Sequence, residues 1–303
     1  MLRNFAYTIA QSDEGNRLDK VLLDACPSVT RKSLARAFDS GAVLFDDGSA
    51  ASKGALARAG MVLRIAELLE KKDERAAACA GFLDTVFEDN FVLGFNKPAG
   101  QNCHPVLPEE NDTLVNAMLC RYPETRGIGG DAMMPALIHR IDSGTSGLVL
   151  AARTQSSFDF IRSQFTRHEV KKIYLVEVEG IVSSPGGISG YLAHASKGEG
   201  MMREVGIGGA VGKLRAMKAE TFFRPLKRRG GNTLLEVTIF TGVTHQIRCQ
   251  LAGFGHPVAG DVLYGAKSLA GESGHRLHSY SAVFRHPALG VITVTAEKCP
   301  FRK

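Results

Sequence analysis

Apolar residues occur in short runs that turn-forming residues separate along most of the chain. Runs of this kind, bounded by Gly, Pro, Asn or Asp, are typical of β-strands. The clearest are FVLGF at 91, LVLAA at 148, IYLVEVEG at 173, LLEVTIF at 234 and VITVTA at 291. The stretch SSFDFIRSQFTR has helical spacing instead. This mixture predicts an α+β domain with a mixed, largely antiparallel sheet rather than a regular βαβ repeat.

The first part of the chain has a different pattern. One helix is predicted from an apolar face formed by Leu18, Val21, Leu22 and Ala25. Thr30 is a candidate cap of a second helix, which carries three cations: Arg31, Lys32 and Arg36. Two strand-like pieces follow, around Val43 and Leu63. We therefore expect a small α+β unit of two helices and a small sheet.

A change in composition suggests where this unit ends. Residues 67–80 are highly charged and then Ala-rich, which is typical of a linker or a solvated helix. We predict a module of residues 1–66, a linker of 67–82 and a larger domain of 83–303. Within the larger domain, the Gly-rich stretch 183–213 predicts long loops or a hairpin inserted into the sheet.

Composition narrows the class of protein only moderately. Hydrophobic residues make up 44% of the chain and charged residues 22%, as in ordinary globular proteins. The 37 Lys and Arg against 31 Asp and Glu give a net charge of +6, which favours a polyanionic partner without requiring one. Six scattered cysteines without a CxxC pair indicate reduced thiols. No apolar run approaches the roughly 20 residues of a membrane span, and no secretory signal is evident, so we expect a cytoplasmic protein.

The stretch HRIDSGTSG, residues 139–147, is the strongest candidate for chemistry. It places one carboxylate, Asp142, between a cation and a Gly/Ser/Thr turn, directly before the apolar run LVLAA. A reactive group mounted on a rigid element has this arrangement. Taken alone, Asp142 could equally well hydrogen-bond its own turn.

Four other segments have a similar sequence pattern, in which polar or cationic side chains lie at the end of an apolar run. They are FNKPAGQNCHP at 95, VKKIYLVEVEG at 170, TGVTHQIRCQLAGFGHPVAGDVLYG at 241 and HRLHSYSAVFRHP at 275. Several loops that converge on one sheet edge commonly form an active site. We therefore expect these segments to meet around Asp142.

From about residue 83 onwards the chain resembles the RluA-type pseudouridine synthases. The resemblance rests on HRID followed by TSG, the later IYLVEVEG segment and the THQIR, GHP, GD and YG block, all in family order. It implies a pseudouridine synthase fold and an isomerase that converts a uridine of structured RNA into pseudouridine. The N-terminal part resembles the alpha-L RNA-binding motif through RLDKVLLD, TRKSLARAF and GAVLF, which implies that Arg31, Lys32 and Arg36 contact RNA.

The resemblance also implies a role for individual residues of the larger domain. Asp142 matches the catalytic nucleophile, which attacks either the ribose or the uracil ring. Arg248 matches the cation beside it, and Tyr174 matches a ring that stacks on the target base and takes part in proton transfer at carbon 5. Arg140 matches a side chain that replaces or pins the flipped nucleotide, and Leu277 matches one that packs beneath the base.

Further expectations follow from the resemblance. Lys97 and His139 are expected to support loops, and neither a metal nor a cofactor is expected, because the isomerisation involves no redox change. The expected partner is ribosomal RNA first and transfer RNA second, with no membrane, no nucleotide cofactor and a monomeric protein. One departure is Val243, where the family commonly has arginine, so a cation is missing near the site.

Three alternatives compete with this interpretation of the sequence. The first is a catalytically idle RNA-binding protein of the same fold. The second is a hydrolase that uses Ser146 or Cys249 with a histidine, although GTSG is not a GxSxG elbow. The third is a dinucleotide enzyme using GIGGAVG at 206–212, which lacks a preceding apolar strand and a following helix start.

Overall fold

The computed structural model describes residues 2–70, 74–195, 200–205, 216–269, 271 and 274–302. The chain divides into two compact units, Met1–Arg75 and Ala76–Lys303. None of the helices in these described ranges is long and apolar enough to cross a membrane. All six cysteines are free thiols.

The first unit packs two helices on a small antiparallel sheet. The helices are α1 (Leu18–Ala25) and α2 (Arg31–Asp39), and the strands that the structure describes are β1 (Leu2–Thr8), β2 (Val43–Phe45) and β3 (Val62–Leu68), in the order β1-β3-β2. The Thr30 side chain accepts a hydrogen bond from the Ser33 backbone N–H, which caps α2. Both helices and the two later strands agree with the sequence prediction, whereas β1 was not predicted.

The second unit is built on a large sheet with three helices in the described residues. Its strands are β4 (Thr85–Glu88), β5 (Val92–Lys97), β6 (Ser146–Ala152), β7 (Lys171–Glu179), β8 (Gly186–His194), β9 (Met202–Val205), β10 (Met217–Arg229), β11 (Asn232–Ile239), β12 (Leu277–His286) and β13 (Gly290–Thr295). Its helices are α3 (Leu114–Arg121), α4 (Gln155–Thr166) and α5 (Gln246–Gly253).

Strands far apart in sequence are neighbours in this sheet. The order is β4-β5-β6-β12-β7-β11-β10-β8-β9, with β13 beside β12. Among the strand pairs of the described residues, β6 and β12 are parallel and the others are antiparallel. The α+β class with a mixed, largely antiparallel sheet is therefore confirmed.

Apolar burial explains why these runs form central strands. Every residue of β6 is buried, and β5 is buried at all but one position, so both faces of these two strands are covered. One cluster joins β5 and β6 to α3, and a second joins β7 and β11 to α5. The α4 helix begins with a capping box in which Thr154 and Ser157 exchange side-chain to backbone hydrogen bonds.

Two segments needed the structure to define them. Strand β3 continues to Leu68, which is buried in the core of the first unit, and residues 74–84 form neither helix nor strand. The division into 1–66, 67–82 and 83–303 remains a prediction. In the Gly-rich stretch, β8 and β9 pair as an antiparallel hairpin, while the predicted loops at 196–199 and 206–215, with the GIGGAVG segment, lie outside the described residues.

Candidate active site

A cavity of about 500 Å³ lies in the second unit, beside β7, the end of β11 and the start of α5. Six separate segments line it, represented by Cys103, the 139–143 turn, Phe165, Tyr174, residues 242–248 and Leu277. All five segments that the sequence singled out contribute to this lining. Their predicted convergence is therefore observed.

Asp142 stands on a turn that backbone hydrogen bonds hold. The Thr145 N–H donates to the Asp142 carbonyl at 3.1 Å, and the Gly100 N–H donates to the Ser143 carbonyl at 2.8 Å. Lys97 lies fully buried beneath the turn, and its Nζ donates to the carbonyls of Pro98, Gln101 and Ser143. Burial lowers the pKa of Lys97 to about 8. Lys97 thus connects the loop that follows β5 to the turn that carries Asp142 through these hydrogen bonds.

The parallel pairing of β6 with β12 places the turn beside Leu277. Gly147 lies opposite Ser279, and Ser146 opposite His278. The backbone of Gly147 has a φ of 107°, and a Cβ there would overlap the Ser279 backbone. Only glycine therefore permits this close approach. Leu277, which precedes His278, is buried and contributes to the floor of the cavity.

Arg248 is the cation next to Asp142. Its Nη1 donates to Asp142 Oδ2 at 2.8 Å, and its Nε and Nη2 donate to the two carboxylate oxygens of Asp261 at 2.6 and 2.9 Å. Burial opposes the charge of Arg248, but the hydrogen bonds and charges of Asp261 and Asp142 outweigh burial and raise its pKa. The side chain of Asp261 is 2% exposed and that of Asp142 is 28% exposed. Asp261 thus anchors the guanidinium, while Asp142 faces the cavity.

Tyr174 lies on β7 and faces the same cavity. It packs in one cluster with Val176 and Val178, as the predicted alternation along this strand requires. Its hydroxyl is hydrogen-bonded to Ser279, and burial raises its pKa to about 12. The phenol is therefore protonated at neutral pH, and its ring and hydroxyl both occupy fixed positions.

Arg140 and His139 lie on the turn that carries Asp142, and both line the cavity. Arg140 is exposed, and its Nη1 lies 3.2 Å from His104 Nε2. His139 accepts a hydrogen bond from the Leu150 N–H and stacks on Phe165 at 5.0 Å between ring centroids. Burial and nearby cations lower the pKa of His139 to about 3, so its ring is neutral.

Several residues of the site were not singled out by sequence reasoning. Asp261 belongs to the quoted GHPVAGDVLYG block but had no role assigned to it. His245 Nε2 lies 3.6 Å from Asp142 Oδ2, and Tyr264 lies against both His245 and Arg248. Lys172, whose pKa burial lowers to about 8, also lines the cavity and donates to two backbone carbonyls. Val243, which the sequence analysis did single out, packs against a buried cluster that includes Met202 and Cys249.

The residues predicted to bind RNA in the first unit lie on α2. Arg31 and Lys32 are exposed on its first turn, and Arg36 is half-buried one turn later. Exposed cations on one helix can contact a phosphate backbone without sequence specificity.

The hydrolase alternative has little support in the structure. Ser146 does bond to a histidine, since its hydroxyl donates to His278 Nδ1 at 2.8 Å. Both residues are buried between β6 and β12, and His278 Nε2 donates to the Ala296 carbonyl. Neither residue is among the described residues that line the cavity. Cys249 is buried too, and its thiol donates to the Met202 carbonyl.

A metal site is also not evident in the described part of the chain. No group of three or more His, Cys, Asp or Glu residues there is arranged to hold a metal ion. The side chains around Asp142 combine a shared guanidinium, an imidazole, a phenol and apolar groups such as Leu277. Such a cavity suits a planar base and an electron-poor sugar carbon.

Comparison with known proteins identifies the family. The model of the RNA pseudouridylate synthase family matches residues 92–253, which is more than half of the chain. An uncharacterized RNA pseudouridine synthase of Synechocystis sp. is 30% identical, over 96% of this chain and 88% of that protein. The ribosomal large subunit pseudouridine synthase D of Zymomonas mobilis is also 30% identical, over 93% of this chain and 86% of its own length. The chain therefore belongs to the RNA pseudouridylate synthase family.

A solved structure supports the same fold. Human RNA pseudouridylate synthase domain containing 1 superimposes with a TM-score of 0.57 at 23% identity, over 71% of this chain and 83% of that chain. The resemblance noted from sequence motifs is confirmed. The protein is an isomerase that acts on RNA.

Proposed function

We propose that this enzyme isomerises a uridine in the RNA of the large ribosomal subunit, with Asp142 as the nucleophile. The single observation that carries the assignment of the nucleophile is the 2.8 Å hydrogen bond from the buried Arg248 to a carboxylate that faces the cavity. Three related proteins support the choice of ribosomal RNA as the substrate. They come from Zymomonas mobilis, Neisseria meningitidis and Xanthomonas campestris, and each is named ribosomal large subunit pseudouridine synthase D and is 30% identical over more than 90% of this chain.

The reaction rearranges one bond without net gain or loss of atoms. The bond between C1′ and N1 of the uridine breaks, the uracil turns over, and a bond forms between C1′ and C5. The proton on C5 leaves, and N1 gains a proton. Asp142 traps the electron-poor ribose or attacks the uracil ring, and Arg248 orients its carboxylate. Tyr174 stacks on the base, and its hydroxyl takes part in proton transfer at C5.

The target base must leave its stack before it reaches Asp142, at a cost of a few kcal/mol. Arg140 is exposed on the same turn, so it occupies the vacated position or pins the flipped nucleotide. Leu277 packs beneath the base from the floor of the cavity. On α2, Arg31, Lys32 and Arg36 contact the phosphate backbone.

Asp142→Asn tests the assignment of the nucleophile. The exchange removes the charge at almost constant shape, so we expect folding and RNA binding to persist while turnover is abolished. Purified full-length protein is incubated with total RNA from a strain lacking the gene, and pseudouridine is mapped. Asp159→Asn is a matched control, because Asp159 is exposed on α4 and bonds only to Gln155 among the described residues.

The outcomes separate the open possibilities. A new pseudouridine in ribosomal RNA supports the proposal. A new pseudouridine in transfer RNA instead would mean that transfer RNA is the substrate. Equal activity of the wild type and Asp142→Asn would contradict the assignment of Asp142 as the nucleophile. If the wild type produced no new pseudouridine, the result would favour a catalytically idle RNA-binding protein. That the chain is monomeric and cytoplasmic stays a prediction from sequence.

The contribution of the first unit has its own test. The double variant Arg31→Ala/Lys32→Ala should bind RNA more weakly, with the salt slope reduced by about 1 for each phosphate that is no longer neutralised. The single-turnover rate at saturating enzyme should not change. Lys53→Ala is the control, since Lys53 belongs to the same unit but pairs with Asp39 at 3.5 Å. Unchanged affinity of the double variant would contradict a role of α2 in RNA binding.

A further inference from the structure

His245 approaches the same carboxylate oxygen that Arg248 binds. Its Nε2 lies 3.6 Å from Asp142 Oδ2, the atom that also accepts the hydrogen bond from Arg248 Nη1. The second oxygen, Oδ1, has neither of these contacts. Both approaches therefore leave Oδ1 as the oxygen available to a substrate in the cavity.

The backbone of His245 has an uncommon conformation. Its φ is 53° and its ψ 20°, in the left-handed region that residues other than glycine rarely adopt, and α5 begins at the next residue. Such outliers persist only where the surroundings hold them, and they concentrate at functional sites. The imidazole is 15% exposed and lines the cavity. The turn thus aims the ring at Asp142.

The contact between Tyr264 and His245 favours one tautomer of the imidazole. The Tyr264 hydroxyl accepts a hydrogen bond from the Met202 N–H at 2.9 Å, and it lies 3.0 Å from His245 Nδ1. Within the described part of the chain, Nδ1 is the acceptor that the hydroxyl proton can reach. A hydroxyl that donates to Nδ1 favours the neutral tautomer with its proton on Nε2, and the Asp142 carboxylate facing Nε2 favours the same tautomer because it can only accept.

The surroundings also favour the neutral ring. Burial lowers the pKa of His245, and Arg248 acts in the same direction, whereas the carboxylates of Asp142 and Asp261 oppose it. Among the described residues, the titratable and charged groups that face the ring are Asp142, His194, Arg248, Asp261, Tyr264 and His275. A neutral imidazole with its proton on Nε2 adds a hydrogen-bond donor without a second positive charge.

We propose that His245 is a positioning residue for Asp142, with its Nε2–H directed to Oδ2 by the Tyr264 hydroxyl so that Oδ1 is presented to the substrate. The inference rests on the proposed role of Asp142 as the nucleophile. The distance of 3.6 Å is just beyond hydrogen-bond length, and such contacts commonly shorten when substrate binds. Arg248 and His245 together then fix the rotation of the carboxylate.

The tautomer can be measured in the free protein, without any reaction. In ¹⁵N-histidine-labelled full-length protein, the two-bond and three-bond ¹H–¹⁵N correlations of His245 report which nitrogen is protonated, and His245→Gln assigns the signals. We expect the Nε2–H tautomer in wild type and a mixture of tautomers in Tyr264→Phe. A wild-type ring protonated on Nδ1 would overturn the inference.

Kinetics test the consequence for Asp142. Single-turnover release of tritium is followed from RNA of a strain lacking the gene, labelled at C5 of its uridines. Tyr264→Phe and His245→Gln should each slow release roughly tenfold, as expected when one positioning hydrogen bond is removed from a site. A purely structural role would also slow the reaction, so the rate alone does not decide.

The pH profile separates positioning from structure. A protonated His245 keeps its Nε2–H but places a second positive charge beside Asp142, which weakens the carboxylate as a nucleophile, so the rate should fall at acid pH as the ring is protonated. The Tyr264 hydroxyl stabilises the neutral ring, so in Tyr264→Phe this acid limb of the pH–rate profile should move to higher pH. In His245→Gln the limb should move to lower pH, because the titrating ring is gone. Slower variants with an unmoved limb, or variants with the wild-type rate, would overturn the proposal. An active Asp142→Asn enzyme would instead contradict the proposed role of Asp142 as the nucleophile. The tautomer measurement would still test the contact between Tyr264 and His245 in that case.

Discussion

Arg248 and Asp142 are 106 residues apart in the sequence, yet Arg248 Nη1 donates to Asp142 Oδ2 at 2.8 Å. The other edge of the same guanidinium is held in a bidentate pair by Asp261, which is buried. A planar guanidinium suits this arrangement, because its fork of N–H donors matches carboxylate geometry. One side chain thus connects a structural carboxylate with a carboxylate that faces the cavity.

Arg248→Met should lower turnover by roughly 100-fold, as loss of a preorganised donor does at other active sites. RNA binding should change much less, because the guanidinium is directed to carboxylates. The measurements are the single-turnover rate and filter binding of RNA. Arg153→Met is the control, since Arg153 pairs with Glu88 and Glu124 and does not line the cavity. If RNA binding fell more than turnover, the pairing of Arg248 with Asp142 would not explain its function.

Substitutions of Tyr174 should separate stacking from proton transfer. Tyr174→Phe keeps the ring and removes a hydroxyl whose pKa burial raises to about 12, so kcat should fall by roughly 100-fold while KM stays similar. Tyr174→Leu should also raise KM, because base stacking on an aromatic ring contributes about 1–3 kcal/mol. Tyr280→Phe serves as a control outside the cavity lining. A Tyr174→Phe enzyme with wild-type kcat would exclude the hydroxyl from the chemistry.

Gly147→Ala should destabilise the second unit strongly. The added Cβ would overlap the Ser279 backbone across the parallel β6–β12 pair, where the chain cannot move without breaking the sheet. We expect a loss of at least about 4 kcal/mol in the free energy of unfolding, measured with urea. Gly255→Ala has a similar φ of 89° but open space around it, so it should cost only about 1–2 kcal/mol. Equal losses in the two variants would mean that backbone strain, not the close approach, determines the requirement for glycine.

Lys97 predicts a specific dependence of stability on pH. Burial lowers its pKa from 10.5 to about 8, so between these values the unfolded chain binds more protons than the folded chain. Stability should therefore rise with pH across this window, relative to Lys97→Met, by up to about 3 kcal/mol. Urea unfolding of both proteins on either side of the window measures the difference. Lys298→Met is the control, because this side chain is 80% exposed and its removal should show no such trend. A difference in unfolding free energy between wild type and Lys97→Met that did not change with pH would contradict the lowered pKa of Lys97.

The fold was predictable where the apolar pattern was strong. FVLGF, LVLAA, IYLVEVEG and LLEVTIF form strands whose apolar side chains are mostly buried, and VITVTA also forms a strand although Val291 is exposed. Strand β1 has only partly buried and exposed residues, and β10 ends in a charged run, so neither has a clear apolar pattern. Such strands form because neighbouring strands supply their hydrogen bonds, which a local pattern does not reveal.

The residues of the candidate site that belong to recognisable sequence motifs could be predicted. Asp142, Tyr174, Arg248 and Leu277 were all singled out, and they line one cavity. Asp261, His245 and Tyr264 were not, because a carboxylate, an imidazole and a phenol have many ordinary roles in a sequence. Their importance arises from distances across the fold, such as the 2.9 Å from Arg248 Nη2 to Asp261 Oδ1.

The sequence by itself determined the apolar runs that become strands, the helix caps, the reactive side chains and the family to which the chain belongs. These properties are local, since side-chain chemistry and hydrophobic spacing are written residue by residue. Only the tertiary structure decided which oxygen of Asp142 is bound by Arg248, which carboxylate anchors that arginine, and which nitrogen of His245 faces the cavity. Those relationships depend on strand register and helix packing, which burial of the whole core fixes even between residues as far apart in sequence as Asp142 and Arg248.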